Sequence, residues 1–221
     1  MKATGSQKRS SIIRNIRNSR GFSLIEMAIV LVIIGVIIGA IVKGQDLILN
    51  ARAKQVTSAV STWRNLSMAY LDRNGRLPGD GGKTGIIQPF AGYSSATKEI
   101  QRSMTTAPAN PLTVGSLNFY IYIGNTTDTT AGRNIIAICK DADCLTEFTS
   151  DELEIIKAVD TSFDGVADAG VGQFRGAPTV TYATGYITLA TPADVSTSGT
   201  TADWLPATGY KTAILAFDRP F

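Results

Sequence analysis

The sequence predicts an α+β protein in which one long N-terminal helix packs against an antiparallel β-sheet with a short extra helix. Three features support this fold class. An apolar run near the N-terminus continues into an amphipathic helical pattern, and the second half of the chain holds segments of β-type alternation. Between those segments, Thr149 and Glu152 have the spacing of a capping box that begins a helix. We expect three or four antiparallel strands with one face on the long helix.

The first element is an apolar helix. Residues Leu24 to Val42 contain one charge, Glu26, and their number reaches the ~20 residues that cross a bilayer as a helix. Six basic residues and no acid precede this run, which places residues 1–21 in the cytoplasm and the chain after Lys43 on the other side of the membrane. These residues are Lys2, Lys8, Arg9, Arg14, Arg17 and Arg20. No small-residue cleavage site closes the run, so an ordinary secretory signal is not indicated.

The helix is expected to continue beyond the membrane. One apolar stripe recurs every three, four or seven residues, as on an amphipathic helix: Leu49, Ala53, Val56, Val60, Trp63 and Tyr70. Asn74-Gly75 and Pro78-Gly79 end it. The predicted organisation is therefore a basic leader at 1–21, a long helix at 22–72 with its transmembrane half at 22–42, and a globular head at 73–221.

The head begins with a predicted loop at 79–99, which is rich in glycine and polar residues. Gly82-Lys83-Thr84 looks like the end of a phosphate-binding loop, but Leu77 stands where that motif needs a glycine, so we reject this interpretation. Strand-like segments follow, rich in aromatic and β-branched residues. They are Leu117 to Ile123, Asn134 to Cys139, Thr179 to Leu189 and Tyr210 to Phe217.

Composition limits the function. The chain of 221 residues is 44% hydrophobic and 18% charged, as expected for a folded protein with one sizeable core. Histidine is absent, which removes the usual general base and the commonest zinc ligand. We therefore expect neither an enzyme nor a cofactor. The net charge of +3 comes from the leader, because the rest of the chain has 15 basic and 18 acidic residues, and nucleic acid is not an expected partner.

Glu26 is the most unusual residue of the apolar run. An ionised carboxylate there costs several kcal/mol unless a cation compensates it. Taken alone, the residue fits two interpretations equally well: a side chain that snorkels to the interface, or one that pairs with a cation.

The segment from Arg20 to Glu26, RGFSLIE, resembles the processing motif of the type IV pilins and the type II secretion pseudopilins. The resemblance implies that a prepilin peptidase and N-methyltransferase cuts between Gly21 and Phe22 and methylates the new terminus at Phe22. It also implies that Glu26, on this chain or a neighbour, neutralises the new amine during assembly. Further partners implied by the family are other pilin subunits, the inner-membrane assembly platform and the inner membrane itself.

By this resemblance the chain is a structural subunit, major or minor, of a type IV pilus used in adhesion, motility or surface interaction. A type II secretion pseudopilin or a competence pilin for DNA uptake is the alternative within the family. A membrane-anchored enzyme or sensor is disfavoured by the missing histidine and nucleotide motif. The precursor is expected in the inner membrane with its head outside the cytoplasm, and the mature form in a pilus at the cell surface or in a periplasmic pseudopilus.

Other residues carry weaker signals. Gly35 and Gly39 form a G-x-x-x-G pair that lets another helix approach, although chance is the favoured explanation because glycine is common in membrane helices. The spacing of Cys139 and Cys144 fits a disulfide or two thiols, and a location outside the cytoplasm favours the disulfide.

A row of three acidic residues spaced by four was also considered as a cation site: Asp160, Asp164 and Asp168. Clustered carboxylates beside a glycine turn suit calcium, but the spacing does not fit an EF-hand loop. We favour capping and turn roles over a metal.

Overall fold

A computed structural model of the chain describes residues 21–87, 94–104, 108–126, 133–177, 180–183, 186–189 and 202–217. The leader at residues 1–20 lies outside the described residues. The predicted α+β class is confirmed, with three helices and seven strands in the described chain. In order they are α1 Leu24–Asn74, α2 Ser94–Ser103, β1 Leu112–Val114, β2 Leu117–Asn125, β3 Asn134–Cys139, α3 Ser150–Asp164, β4 Phe174–Ala177, β5 Val180–Ala183, β6 Tyr186–Leu189 and β7 Thr212–Ala216.

The chain divides into two compact units, one up to Gly44 and one from Gln45 onward. In the first unit, α1 is long and apolar enough to cross a membrane. Its large apolar side chains are between 46% and 91% exposed, so nothing in the described chain covers them. This apolar surface must be covered by lipid or by other molecules.

In the second unit, the remaining part of α1 is amphipathic. Its buried residues follow the expected stripe, except that Leu49 is only partly buried and Ser67 is added: Ala53, Val56, Val60, Trp63, Ser67 and Tyr70. Each large apolar side chain buried there contributes about 1.5–3 kcal/mol of transfer free energy. The helix ends at Asn74, two residues beyond the expected end, where Gly75 takes a positive φ of 67° and donates to the carbonyl of Leu71 at 2.7 Å.

The main sheet has five strands in the order β1-β2-β3-β7-β4, and all its pairings are antiparallel. Strands β3 and β7 lie at its centre and are buried along their whole length. On one face, Phe119, Ile136 and Leu215 join the core formed with α1 and α3. On the other face, Ile135 and Ile214 pack with the two cysteines.

Two expectations about the strands of the head need correction. The segment from Thr179 to Leu189 is not one strand but two, β5 and β6, which pair with each other in a separate sheet. The main sheet has five strands rather than three or four, since β1 and β4 were not predicted. Strand β1 is only three residues long, and β4, with the sequence FRGA, lacks β-type alternation. These segments form strands because they pair with β2 and β7, not because of their own sequence pattern.

The predicted loop at 79–99 also contains the start of a helix, α2. This helix is polar, and among the side chains that the structure describes from residue 96 onward it buries Ala96, Thr97 and Ile100. It is fixed by Glu99, whose carboxylate accepts hydrogen bonds from Arg76 Nη1 at 3.0 Å and from the backbone of Gly79 at 2.9 Å. Ala96 and Ile100 are the two apolar residues of this segment, so its composition is that of a polar loop, which explains why the sequence did not predict a helix there.

Helix α3 begins where the capping box predicts. Thr149 accepts from the backbone N–H of Glu152, and the Glu152 carboxylate accepts from the backbone N–H of Thr149 at 2.7 Å. Gly165, with a φ of 84°, ends the helix. Lys140 forms an ion pair with Glu152 at 3.3 Å and so ties the end of β3 to the start of α3.

Candidate processing and assembly site

The residues at the expected cleavage point precede the first helical turn. Gly21, Phe22 and Ser23 have no regular secondary structure, and the Phe22 side chain is 82% exposed. A Cβ placed on Gly21 would meet nothing within 4 Å. The peptide bond between Gly21 and Phe22 is therefore accessible in this chain. Cleavage and methylation at this bond stay predictions.

Glu26 caps the start of α1. Its Oε2 accepts from the backbone N–H of Ser23 at 2.8 Å, while Ser23 Oγ accepts from the N–H of Ile25 at 3.4 Å. This reciprocal pattern resembles a capping box, in which two N–H groups at a helix start receive side-chain acceptors. This role of Glu26 was not predicted, although Ser-x-x-Glu before an apolar run is the same type of signature as the capping box that begins at Thr149.

The cap has an electrostatic consequence. It keeps the Glu26 carboxylate in the first turn, where the positive end of the helix dipole favours a negative charge. The carboxylate bonds the backbone of Ser23, the residue directly after Phe22. If the chain is cut before Phe22, the new amine lies one residue before the N–H group from which the Glu26 carboxylate accepts. The assembly role of Glu26 remains a prediction, now with a defined starting geometry.

Gly35 and Gly39 lie on the exposed part of α1. A Cβ at either position would find no atom within 4 Å apart from the backbone of its own helix. Neither glycine is therefore required for packing within this chain. Close packing against a second helix stays a prediction.

The glycine-rich turn after α1 is organised around its own carboxylate. Asp80 is fully buried and accepts from the N–H groups of Gly82, Thr84 and Gly85 at 3.1, 3.1 and 2.8 Å. Burial acts to raise the pKa of Asp80, but these hydrogen bonds outweigh it and hold the pKa below its usual value. Amides that resemble those of a phosphate loop are thus already used by a side chain of the same turn.

Cys139 and Cys144 form a disulfide between the end of β3 and the following turn, and both are fully buried. The turn is held further by Asp141, whose carboxylate accepts from the N–H groups of Leu145 and Thr146 at 3.1 and 3.0 Å. Burial acts to raise the pKa of Asp141, and these hydrogen bonds reverse the effect and lower it. The loop after β3 is therefore ordered by covalent and polar contacts.

The three aspartates after the middle of α3 bind the backbone and a tryptophan. Asp160 Oδ2 accepts from Trp204 Nε1 at 2.8 Å and from the N–H of Asp168 at 2.7 Å. Asp164 accepts from the N–H of Phe174 at 2.8 Å, which ties α3 to β4. Among the residues that the structure describes, no group of three His, Cys, Asp or Glu side chains is arranged to hold a metal.

Asp160 is the most perturbed of these groups. Its side chain is fully buried, and its Oδ1 has no hydrogen-bond partner within the described chain. Burial raises the pKa of Asp160 to about 7 and outweighs the two hydrogen bonds from Trp204 and Asp168, which lower it, while the nearby charges of Asp164 and Asp168 add to the rise. Asp160 therefore holds a proton far more readily than an exposed aspartate does.

Comparison with known proteins gives one result for the N-terminal segment. A family model described as the prokaryotic N-terminal methylation motif matches residues 16–42. The match includes Gly21, Phe22, Glu26 and the exposed apolar part of α1 up to Val42. No curated protein and no solved structure matches the chain.

Proposed function

We propose that this chain, whose residues 16–42 carry the prepilin-type motif of type IV pilins and pseudopilins, is a structural subunit of a type IV pilus. A prepilin peptidase removes the leader after Gly21 and methylates Phe22. The apolar helix of the mature chain then moves out of the membrane and packs against the helices of other subunits. The observation that carries this proposal is the coincidence of the motif match with a helix whose apolar side chains are exposed on all sides.

The exposed helix supports a structural role because its surface suits two environments in turn. Before assembly, lipid covers the apolar side chains, since the run is long enough to span the bilayer. After assembly, the equivalent helices of neighbouring subunits replace the lipid, and van der Waals contact between them replaces contact with acyl chains. A simple membrane anchor needs only the first environment, and it does not need an accessible bond before Phe22.

The motif is common to pilins and pseudopilins, so the choice of a pilus is part of the proposal. The decisive experiment is mass spectrometry of filaments sheared from the cell surface, with the membrane fraction as control. We expect the chain in the filaments with its first residue a methylated Phe22. Abundance there would mark a major subunit and trace amounts a minor one. A processed chain retained in the envelope would indicate a pseudopilin, and an intact leader would contradict processing altogether.

A further inference from the structure

Charge is unevenly distributed along the chain beyond the apolar run. Residues 43–102 contain nine Lys and Arg against four Asp and Glu, a net charge of +5. Residues 103–221 contain six basic and thirteen acidic residues, a net charge of −7. The nearly neutral total therefore hides two strongly and oppositely charged segments.

The fold places exposed residues of these segments toward opposite edges of the main sheet. Helix α2 packs against β2, next to the β1 edge, whereas α3 packs against β4, the strand at the other edge. The basic edge consists of Lys98 and Arg102, which are exposed on α2, and Arg73, exposed at the end of α1. Asp72 is a nearby acid, but adjacent residues on a helix point in different directions.

The acidic edge consists of Glu147, Asp151 and Asp203, all of which are exposed. Tyr210 connects the segments that carry the acidic edge. Its carbonyl accepts from the N–H of Phe148 at 2.8 Å, and its hydroxyl donates to the carbonyl of Asp203 at 3.2 Å. Lys211, half-buried beside Tyr210, offsets one of these charges. Lys140 and Lys157, two further cations near this edge, pair with Glu152 and Glu154, and Arg175 of β4 is buried and donates to the carbonyl of Gly172 at 3.0 Å.

Each edge also has an apolar feature. Beside Arg73 there is a small groove between α1 and α2, lined by Leu66, Ala69, Tyr70, Arg73, Ile100, Ser103 and Met104. Beside Asp203, the side chain of Leu205 is 50% exposed. Interfaces commonly combine an apolar centre with a charged rim, and the two edges supply matching halves of such an arrangement.

We propose that the basic edge of one copy of this chain docks on the acidic edge of a second copy. The proposal rests on the proposed function, since it names the contact that the heads make in the filament. Because the two surfaces differ and lie on separate parts of the head, the contact is heterologous. Repeated contacts of this kind build an open helical assembly rather than a closed dimer. A nucleic acid, by contrast, would use the basic edge alone and would be repelled by the acidic one.

The test exchanges the charges of each edge. Lys98→Glu with Arg102→Glu makes both edges acidic, and Glu147→Lys with Asp203→Lys makes both edges basic. We expect each double variant, expressed alone, to enter filaments at least about tenfold less than wild type, because like charges then meet at the contact. The measured quantity is the ratio of chain in sheared filaments to chain in the membrane.

Co-expression of the two double variants supplies the decisive result. Opposite edges then alternate along the assembly, so we expect incorporation of both to return to within about threefold of wild type. Charge-retaining controls, Lys98→Arg with Arg102→Lys and Glu147→Asp with Asp203→Glu, should assemble normally. No rescue by co-expression, with both chains present in the membrane, would overturn the docking surfaces. Absence of wild-type chain from filaments would instead overturn the proposed function, and this inference with it.

Discussion

The two units of the chain differ in whether their apolar side chains are exposed or buried. Up to Gly44, the side chains of α1 are exposed and nothing in the described chain covers them. From Gln45 onward, the same helix buries a regular stripe, and the strands β3 and β7 are buried throughout. In its first part the helix thus leaves its apolar residues uncovered by the described chain, and in its second part it uses them for the core of its own fold. A motif shared between proteins is expected in the part that meets shared machinery, and the methylation motif matches there.

The difference between the two units predicts its largest effect at Glu26, in the exposed first unit. This residue caps its own helix and is also predicted to take part in assembly. Glu26→Gln keeps an acceptor for the N–H of Ser23, as a capping box allows, but removes the charge. We expect cleavage to continue and the amount of chain in sheared filaments to fall by at least about tenfold. A tenfold loss corresponds to about 1.4 kcal/mol, which is in the range expected when one charge of an ion pair is removed. Immunoblots of filament and membrane fractions measure both steps.

Glu26→Ala serves as the companion variant, since it removes the charge and the cap together. Equal losses for the two variants would assign the effect to charge. Normal assembly of Glu26→Gln with defective Glu26→Ala would assign it to the cap and reject the charge-pair role.

A matched pair of isoleucines measures the contrast directly. Ile136 in β3 is fully buried, whereas Ile33 in α1 is 52% exposed. We expect Ile136→Ala to lower the free energy of unfolding by about 2–5 kcal/mol, as large-to-small core substitutions do. Ile33→Ala should change it by less than about 0.5 kcal/mol. Urea unfolding of the full chain in detergent, followed by tryptophan fluorescence, checks both values, and similar losses would mean that the two units are not energetically distinct.

The smallest expected effect is a pH dependence confined to the head. The pKa of Asp160 is raised from 3.8 to about 7 by burial, so the folded chain binds its proton more tightly than the unfolded chain does. This stabilisation is complete below pH 3.8 and is lost as the pH rises through about 7. The lowered pKa values of Asp80, Glu99 and Asp141 act in the opposite sense, but at pH values below about 4.5.

Thermal unfolding of the full chain in detergent should therefore occur a few degrees higher at pH 5.5 than at pH 8. Asp160→Asn, which mimics the protonated side chain, should flatten this dependence. Asp143→Asn, at an exposed position, is the control and should preserve it. A wild-type midpoint that rises with pH between these values would contradict the role of Asp160.

What the sequence revealed depended on whether the determining contacts are local. The stripe on α1 and the capping box of α3 are short-range patterns, and the structure places both as expected. The prepilin-type motif is likewise a short continuous segment, and the family model confirms that resemblance. The box formed by Ser23 and Glu26 has the same kind of short-range signature, although it was not predicted.

Elements fixed by distant contacts were not predictable in the same way. In β4, a Cβ on Gly176 would come within 2.6 Å of the Tyr210 ring and 2.9 Å of the Trp204 ring, so a glycine is needed there for close packing rather than for a turn. Helix α2 depends on Glu99 reaching back to Arg76 and Gly79. The separation of charge between the sheet edges also required the strand order, which no local pattern provides.

The cap at the start of α1 determines where the non-helical chain ends, and so which peptide bonds a protease could reach. Proteases bind their substrates as extended strands, and a residue inside a helix cannot enter such a cleft without unwinding it. With Ser23 bonded to Glu26, the helix starts at Leu24, and the non-helical chain available to an enzyme stops only two peptide bonds beyond Gly21. If the chain is cleaved after Gly21, as predicted, the serine and the glutamate together place the cleaved bond just before the first turn of the helix.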